Sequence, residues 1–210
     1  MTKSILAAAA AGLALAAGIG PGAPALAQPP PGVFVGGHDY KVADAGAYAI
    51  DPSHTAVIAK VSHIGYGLSV FRFEKVDGRL TWDPAQPARS TLNVTVETAS
   101  IATPVPGFAT ELQGDSFLKS AAFPKATFVS TAFHQTDAGH GKVDGQFTLM
   151  GKTHPVSFDV ELEGAGKGFG GHARLGVEAK GAINPADYGL NPMFATPIQL
   201  VIDAEFEKTP

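Results

Sequence analysis

The chain has 210 residues, with 15 Lys+Arg against 19 Asp+Glu, 7 His, 25 Gly, 16 Pro and no Cys. At the usual about 100–200 residues per domain one domain is the default expectation, and without Cys the chain holds no disulfide scaffold, thiol nucleophile, cysteine-ligated zinc or iron–sulfur cluster. A net charge of -4 argues against a nucleic-acid partner, which needs a basic footprint.

Met1-Thr2-Lys3-Ser4 supplies one positive charge, Ile5 to Ile19 is an apolar run, and Ala25-Leu26-Ala27 follows Pro21 and Pro24. A charged start, a short apolar stretch and an A-x-A site predict a secretory signal peptide over residues 1–27, cleaved after Ala27. The apolar run is shorter than the ~20 residues of a membrane span. The expected location is the periplasm. Residues 28–46, with Pro29-Pro30-Pro31 and Gly36-Gly37, read as a flexible leader. The folded domain is expected over 47–210.

From Thr55 onward the hydrophobic period is two, the mark of antiparallel strands with one wet face. Strands are predicted at about 55–63, 69–82, 89–98, 125–135, 141–150, 153–163, 172–182 and 196–207. Within the second, Phe71 and Phe73 share one parity while Val76, Gly78, Leu80 and Trp82 take the other, which predicts a β-bulge near Glu74-Lys75. Phe108 to Lys119 reads as one short helix, Gly151-Lys152 as a tight hairpin, and Gly164 to Gly171 as a turn. The class is all-β. Eight amphipathic strands close into a barrel or stack as a two-sheet sandwich, and alternation does not choose between them.

Three stretches supply the choice. Tyr48-Ala49-Ile50-Asp51-Pro52-Ser53-His54-Thr55, running on to His63-Ile64-Gly65, is similar to the opening pattern of the YceI-like polyisoprenoid-binding family. Phe123-Pro124-Lys125-Ala126-Thr127-Phe128, preceded by Glu111-Leu112-Gln113-Gly114, and the hairpin from Phe147 to Val156 resemble two more of its segments, and Asp187-Tyr188-Gly189-Leu190 resembles a fourth. The resemblance implies an eight-stranded, extended, lipocalin-like antiparallel barrel whose lumen takes a long isoprenoid or quinone-like lipid, with no other cofactor. The chain departs from the pattern at Ala59, where the family commonly has an aromatic, at Phe71, where it often has Gly, and at Pro185, where an Arg usually stands.

On that reading Val57, Ala59, Val61, Phe71, Phe73, Phe128, Phe147, Leu149 and Phe158 are expected to line the lumen. His63, at a strand end, and Met193 and Phe194, in the loop before the last strand, are expected at its mouth beside a head group. The apolar lumen positions are equally those of plain core packing. The seven His include no HExxH and no helical i, i+4 pair, so no metal site is expected. No G-x-S-x-G elbow and no phosphate loop occurs, and the Glu161/Glu163 and Glu205/Glu207 pairs read as solvated strand faces.

The expected function is a non-catalytic periplasmic lipid carrier or store, with room for transient membrane contact and for a monomer or a homodimer. Two rivals are an enzyme acting on such a lipid with His54, His63 or His154 as general base, and a stress-protective interaction protein whose barrel is filled by its own aromatics.

Overall fold

The computed structural model describes residues 34–194 and 196–210; the expected signal segment and its cleavage after Ala27 lie outside the described residues. The strand segments are β1 (Gly46–Ile50), β2 (Ala56–His63), β3 (Gly67–Phe73), β4 (Val76–Trp82), β5 (Thr91–Glu97), β6 (Ile101–Ala102), β7 (Lys125–Gln135), β8 (His140–Leu149), β9 (Lys152–Lys167), β10 (Ala173–Ile183) and β11 (Ile198–Lys208). Two short helices join them, α1 (Phe108–Gln113) and α2 (Pro185–Tyr188). Among the described residues no helix is long and apolar enough to cross a membrane.

Three pairs of these segments, β1/β2, β3/β4 and β5/β6, are halves of single strands broken by a kink. Merged, they leave eight antiparallel staves in an up-and-down order, and β11 returns to pair with β1 (Ile50↔Phe206) and with β2 (Ala59↔Leu200). The sheet is therefore a closed barrel, which leaves no long open edge around the ring.

Alternation sets which side chains enter it. Val57, Ala59 and Val61 on β2, Phe71 on β3, Leu80 on β4, Phe128 on β7, Val143 and Leu149 on β8, Phe158 and Leu162 on β9 and Leu200, Ala204 and Phe206 on β11 are all buried. The parity switch between β3 and β4 falls at Glu74-Lys75, as the sequence predicts. There the strand breaks, and both backbone N–H groups donate to Ser100 Oγ at 3.2 and 3.1 Å. The tight hairpin is also present: Met150 and Gly151 both take positive φ (51° and 75°), the requirement of a type I′ turn. Gly145 faces inward where the Phe128 ring passes; a Cβ there would lie 2.3 Å from Phe128 Cζ. Phe128 in turn meets Phe158 edge-on, with centroids 5.2 Å apart.

Four features differ from the sequence reading. A strand, β1, precedes the first one predicted. The helix expected to Lys119 stops at Gln113, where Gly114 caps it. The turn expected to open at Gly164 starts later, because β9 runs to Lys167 and pairs Ala165 with Leu175. The leader expected to stay free as far as Gly46 docks from Gly37: Gly37 N donates to Ala165 O at 2.7 Å, Ala165 N to Gly37 O at 2.8 Å, Tyr40 packs edge-on against Trp82, and Ala43 is buried. The contact is possible because both surfaces lack side chains, with a Cβ on Gly36 falling 2.8 Å from Gly164 Cα.

On the outside, one cluster fastens the closure. Arg174 on β10 donates from Nη1 to Asp51 (2.9 Å) and Glu205 (2.8 Å) and from Nη2 to Glu207 (2.6 Å). Asp51 also accepts from Ser53 N and pairs with His54 Nδ1 at 2.9 Å. The kink between β1 and β2 is thus tied to β10 and β11. These bonds, that of His54 first and those of Arg174 and Ser53 after it, hold the Asp51 carboxyl down to about 2, and the same pairing raises His54.

Two outcomes follow. Phe158→Asp places an uncompensated carboxylate against Phe128 and is expected to cost at least about 4 kcal/mol, read as the shift in denaturant midpoint; unchanged stability would mean that this face does not point inward. Asp51→Asn is expected to cost about 1–2 kcal/mol near pH 6. Because the folded carboxyl sits below its unfolded value, the wild-type advantage holds above about pH 4 and vanishes as pH falls through about 2. The raised His54 adds a part that is present in acid and fades as pH rises through its folded value. Melting curves of both proteins across pH test this; parallel curves over the acid limb would refute the clamp.

Candidate functional site

Eight staves give a lumen at the size where side chains just fill it or leave room for one small ligand. Here room is left. A cavity of about 290 Å³ runs inside the barrel. Its walls are the inward faces just described, so its chemistry is aliphatic and aromatic along most of its length. Among the described residues no buried ion pair lines it.

One end of the lumen is closed. The connection from β6 to β7 crosses it, carrying α1 with Leu112 and then Phe117 and Leu118, all three buried. Phe194, in the loop before β11, lies 5.8 Å from Phe117, and Asn191 Nδ2 donates to Ser116 O at 3.1 Å, tying that loop to the lid. Beneath them a second apolar pocket of about 60 Å³ is lined by Val61, Phe71, Phe117 and Phe194, among others. Tyr188 on α2 braces the same end: its ring meets Phe147 at 5.5 Å and His154 at 5.2 Å, and burial followed by the charge of Asp187 pushes its hydroxyl up to about 12. Pro185 starts α2 behind an Asn184 cap, a position where its missing N–H costs nothing.

At the opposite end the cavity reaches the rim. Tyr40, Trp82, Pro87, Phe133 and the β7–β8 turn around Asp137 and His140 line it there. Trp82 Nε1 is buried with no hydrogen-bond partner, a donor left over beside the lumen. His140 Nδ1 is 2.9 Å from Asp137 Oδ1, and His134 Nε2 is 2.8 Å from Asp144. Pairing with Asp137 raises His140, while bonds from Gly139 N, then His140, lower Asp137.

The residues expected in the lumen therefore divide. Val57, Ala59, Phe73, Phe128, Phe147, Leu149 and Phe158 line the main cavity, with Ala59 and Phe73 also touching the small pocket; Val61 and Phe71 line only the small one. The three residues expected at the mouth are at the lidded end instead. His63 is exposed in the β2–β3 hairpin, Met193 is 67% exposed, and Phe194 packs into the lid. Hairpins at the two ends of a barrel look alike in sequence, and the long β6–β7 crossing decides which end is covered. The rim residues missed by sequence reading are Tyr40, Trp82 and His140. Tyr40 falls in the stretch read as leader and His140 in or beside a glycine-rich turn, although Asp137-x-x-His140 is a turn-capping spacing that marks that loop as ordered.

Ala59 and Phe71, two positions where the chain departs from the pattern it resembles, are cross-strand partners. A large and a small side chain thus stand side by side there, in the reverse of the order in the pattern, and the Phe71 ring lies 6.1 Å from Phe108 on α1. Of the candidate bases, His54 is held by Asp51 and His154 Nε2 lies 3.1 Å from Asp187 O. Neither they nor His63 line the main cavity. Asp51, His54 and Glu205 lie close enough together to suggest a cation, but the Arg174 guanidinium already bonds both carboxylates.

Comparison with known proteins agrees with this architecture. A UPF0312 protein of Pseudomonas putida (strain W619) is 35% identical over 165 residues, covering 78% of this chain and 86% of its own length. Among solved structures, Burkholderia cenocepacia BcnA superposes with a TM-score of 0.66 at 20% identity, covering 74% of this chain and 98% of its own. A polyisoprenoid binding domain from Saccharophagus degradans, implicated in plant cell wall breakdown, superposes at 0.57 with 14% identity, covering 79% and 100%. Residues 48–206, nearly the whole barrel, match the family described as YceI-like domain, and the chain belongs to that family.

Proposed function

We propose that this protein is a non-catalytic carrier or store for a long, apolar lipid of the isoprenoid or quinone-like kind, held in the barrel lumen with its head at the Tyr40–Trp82 rim. The observation that carries the reading is the apolar cavity of about 290 Å³ that runs from the lid to that rim. Its size is near the lower bound of common ligand sites. The energetics need little else: each buried CH₂ contributes about 0.8 kcal/mol, and micromolar affinity corresponds to about 8 kcal/mol. A few isoprene units suffice even after ordering and association costs. The polyisoprenoid-binding description of a structural neighbour points to the same ligand class.

A filled barrel with partners bound outside is disfavoured by the cavity itself. Catalysis is disfavoured because His54 and His154 are engaged in structural bonds. The charged and apolar N-terminal segment followed by Ala25-Leu26-Ala27 supports export to the periplasm, where a carrier would meet lipid between membranes.

Protein purified without detergent, extracted into organic solvent and analysed by mass spectrometry is expected to yield a long-chain lipid in near-stoichiometric amount. A protein that yields none, and that does not take up an isoprenoid quinone in titration, refutes the proposal. Chain length is expected to depend on Phe71, which lines the small pocket beside Ala59 and Phe73, two residues that border both spaces. Phe71→Ala is expected to cost about 3–5 kcal/mol of stability and to shift the bound population toward longer chains. The same chain-length distribution in both proteins would show that Phe71 does not limit the lumen.

A further inference from the structure

The β2–β3 hairpin spends its most exposed positions on apolar side chains. Ile64 is 81% exposed, Tyr66 90%, Leu68 52% and Val70 48%. The turn at its tip carries positive φ at Ile64 (46°) and Gly65 (81°). Gly or Asn fits the first of these positions, whereas a β-branched residue there is a genuine outlier. Ile64 thus strains the turn and contributes no buried area to the fold. Strain maintained at an exposed apolar side chain points to something outside the molecule.

The charges around it say what. In a chain of net charge -4, residues 56–73 contain no Asp or Glu but include Lys60, His63 and Arg72. Lys60 stands opposite Val70, and Arg72 opposite Ile58, on the outward face of the same ladder. Neither cation forms an ion pair among the described residues. The carboxylates nearest along the ladder, Glu74 two residues beyond Arg72 and Asp203 opposite Ala56, stand at the end away from the hairpin tip. An aliphatic tip, an exposed Tyr and a pair of unneutralised cations behind them form the arrangement that sits in the interface of an anionic bilayer.

We propose that the β2–β3 hairpin docks the protein on anionic membrane surfaces, with Ile64 and Tyr66 entering the interface and Lys60 and Arg72 facing the lipid phosphates. Docked this way, the barrel turns its lidded end toward the bilayer and its open rim toward the solution. The proposal is independent of what the lumen holds, since it concerns the outer surface, and lipid extraction tests the lumen separately.

Flotation of the full chain with phosphatidylcholine vesicles, with and without phosphatidylglycerol, tests it. Wild type is expected to float only with the anionic vesicles, and less as salt rises. Lys60→Glu and Arg72→Glu are each expected to weaken partition at least about fivefold, the worth of one basic side chain at an anionic surface. Tyr66→Ser is expected to abolish most of it. Ile64→Asn supplies a second readout: it should raise the melting temperature by relieving the turn while lowering vesicle partition, a pairing that a purely structural Ile64 would not give. Val42→Ser, at an apolar residue 52% exposed beside the open rim, should change nothing. Failure of wild type to float with anionic vesicles, or flotation unaltered by these substitutions, overturns the proposal. So does sedimentation that finds a dimer which Tyr66→Ser dissolves, because the occupant is then a second copy.

Discussion

The return of β11 to the two-part strand β1–β2 is the contact on which the rest of the molecule depends. While that seam is open, the staves form a curved sheet with two long edges and a hydrophobic face too large to cover. Once it closes, both edges are satisfied and the face becomes the wall of an enclosed space. The Arg174 cluster lies across this seam, binding the β1–β2 kink through Asp51 and β11 through Glu205 and Glu207. Exposed ion pairs are worth little one at a time. Here one guanidinium serves three carboxylates on two adjoining staves, and Asp51 is also fixed by the turn it caps.

Closure then determines what the interior can do. Because neighbouring residues face opposite ways, the lumen receives every second side chain from each of eight staves, and a ring of that size leaves a volume near the limit of what those side chains can fill. Glycines at 145 and 181 make way for the rings of Phe128 and Phe158. Aromatic mass is in this way concentrated against the walls, and the axis of the barrel stays open. The crossing from β6 to β7 covers one end of that axis, so access falls to the other.

Much of the barrel was legible in the sequence, because a period of two over buried and solvated faces is written directly into alternation. The inward parity of β2, β7, β8 and β9 and the break at Glu74-Lys75 follow from it. What escaped were features set by contacts between distant segments. Gly46–Ile50 is only five residues long and follows a stretch with the composition of a linker, so its pairing with β4 and β11 left no local trace. The docking of Gly37 on Ala165 depends on facing glycines far apart in the chain. His63, Met193 and Phe194 carry side chains suited to an open end, yet they stand at the covered one, because which end is covered depends on where Phe117 and Leu118 come to rest.

The up-and-down order also shapes how the chain reaches its native state. Nearly every stave pairs with its sequence neighbour, so most of the sheet can form by successive hairpins whose loops cost little entropy to close. The seam alone joins residues from opposite ends of the chain, and its loop entropy must be met before its hydrogen bonds and buried side chains compensate. Ring completion is accordingly the step on which cooperative folding waits. A chain truncated within its last ten residues would retain most of its hairpins yet lack an enclosed interior, exposing as an aggregation surface the same apolar face that the finished barrel encloses.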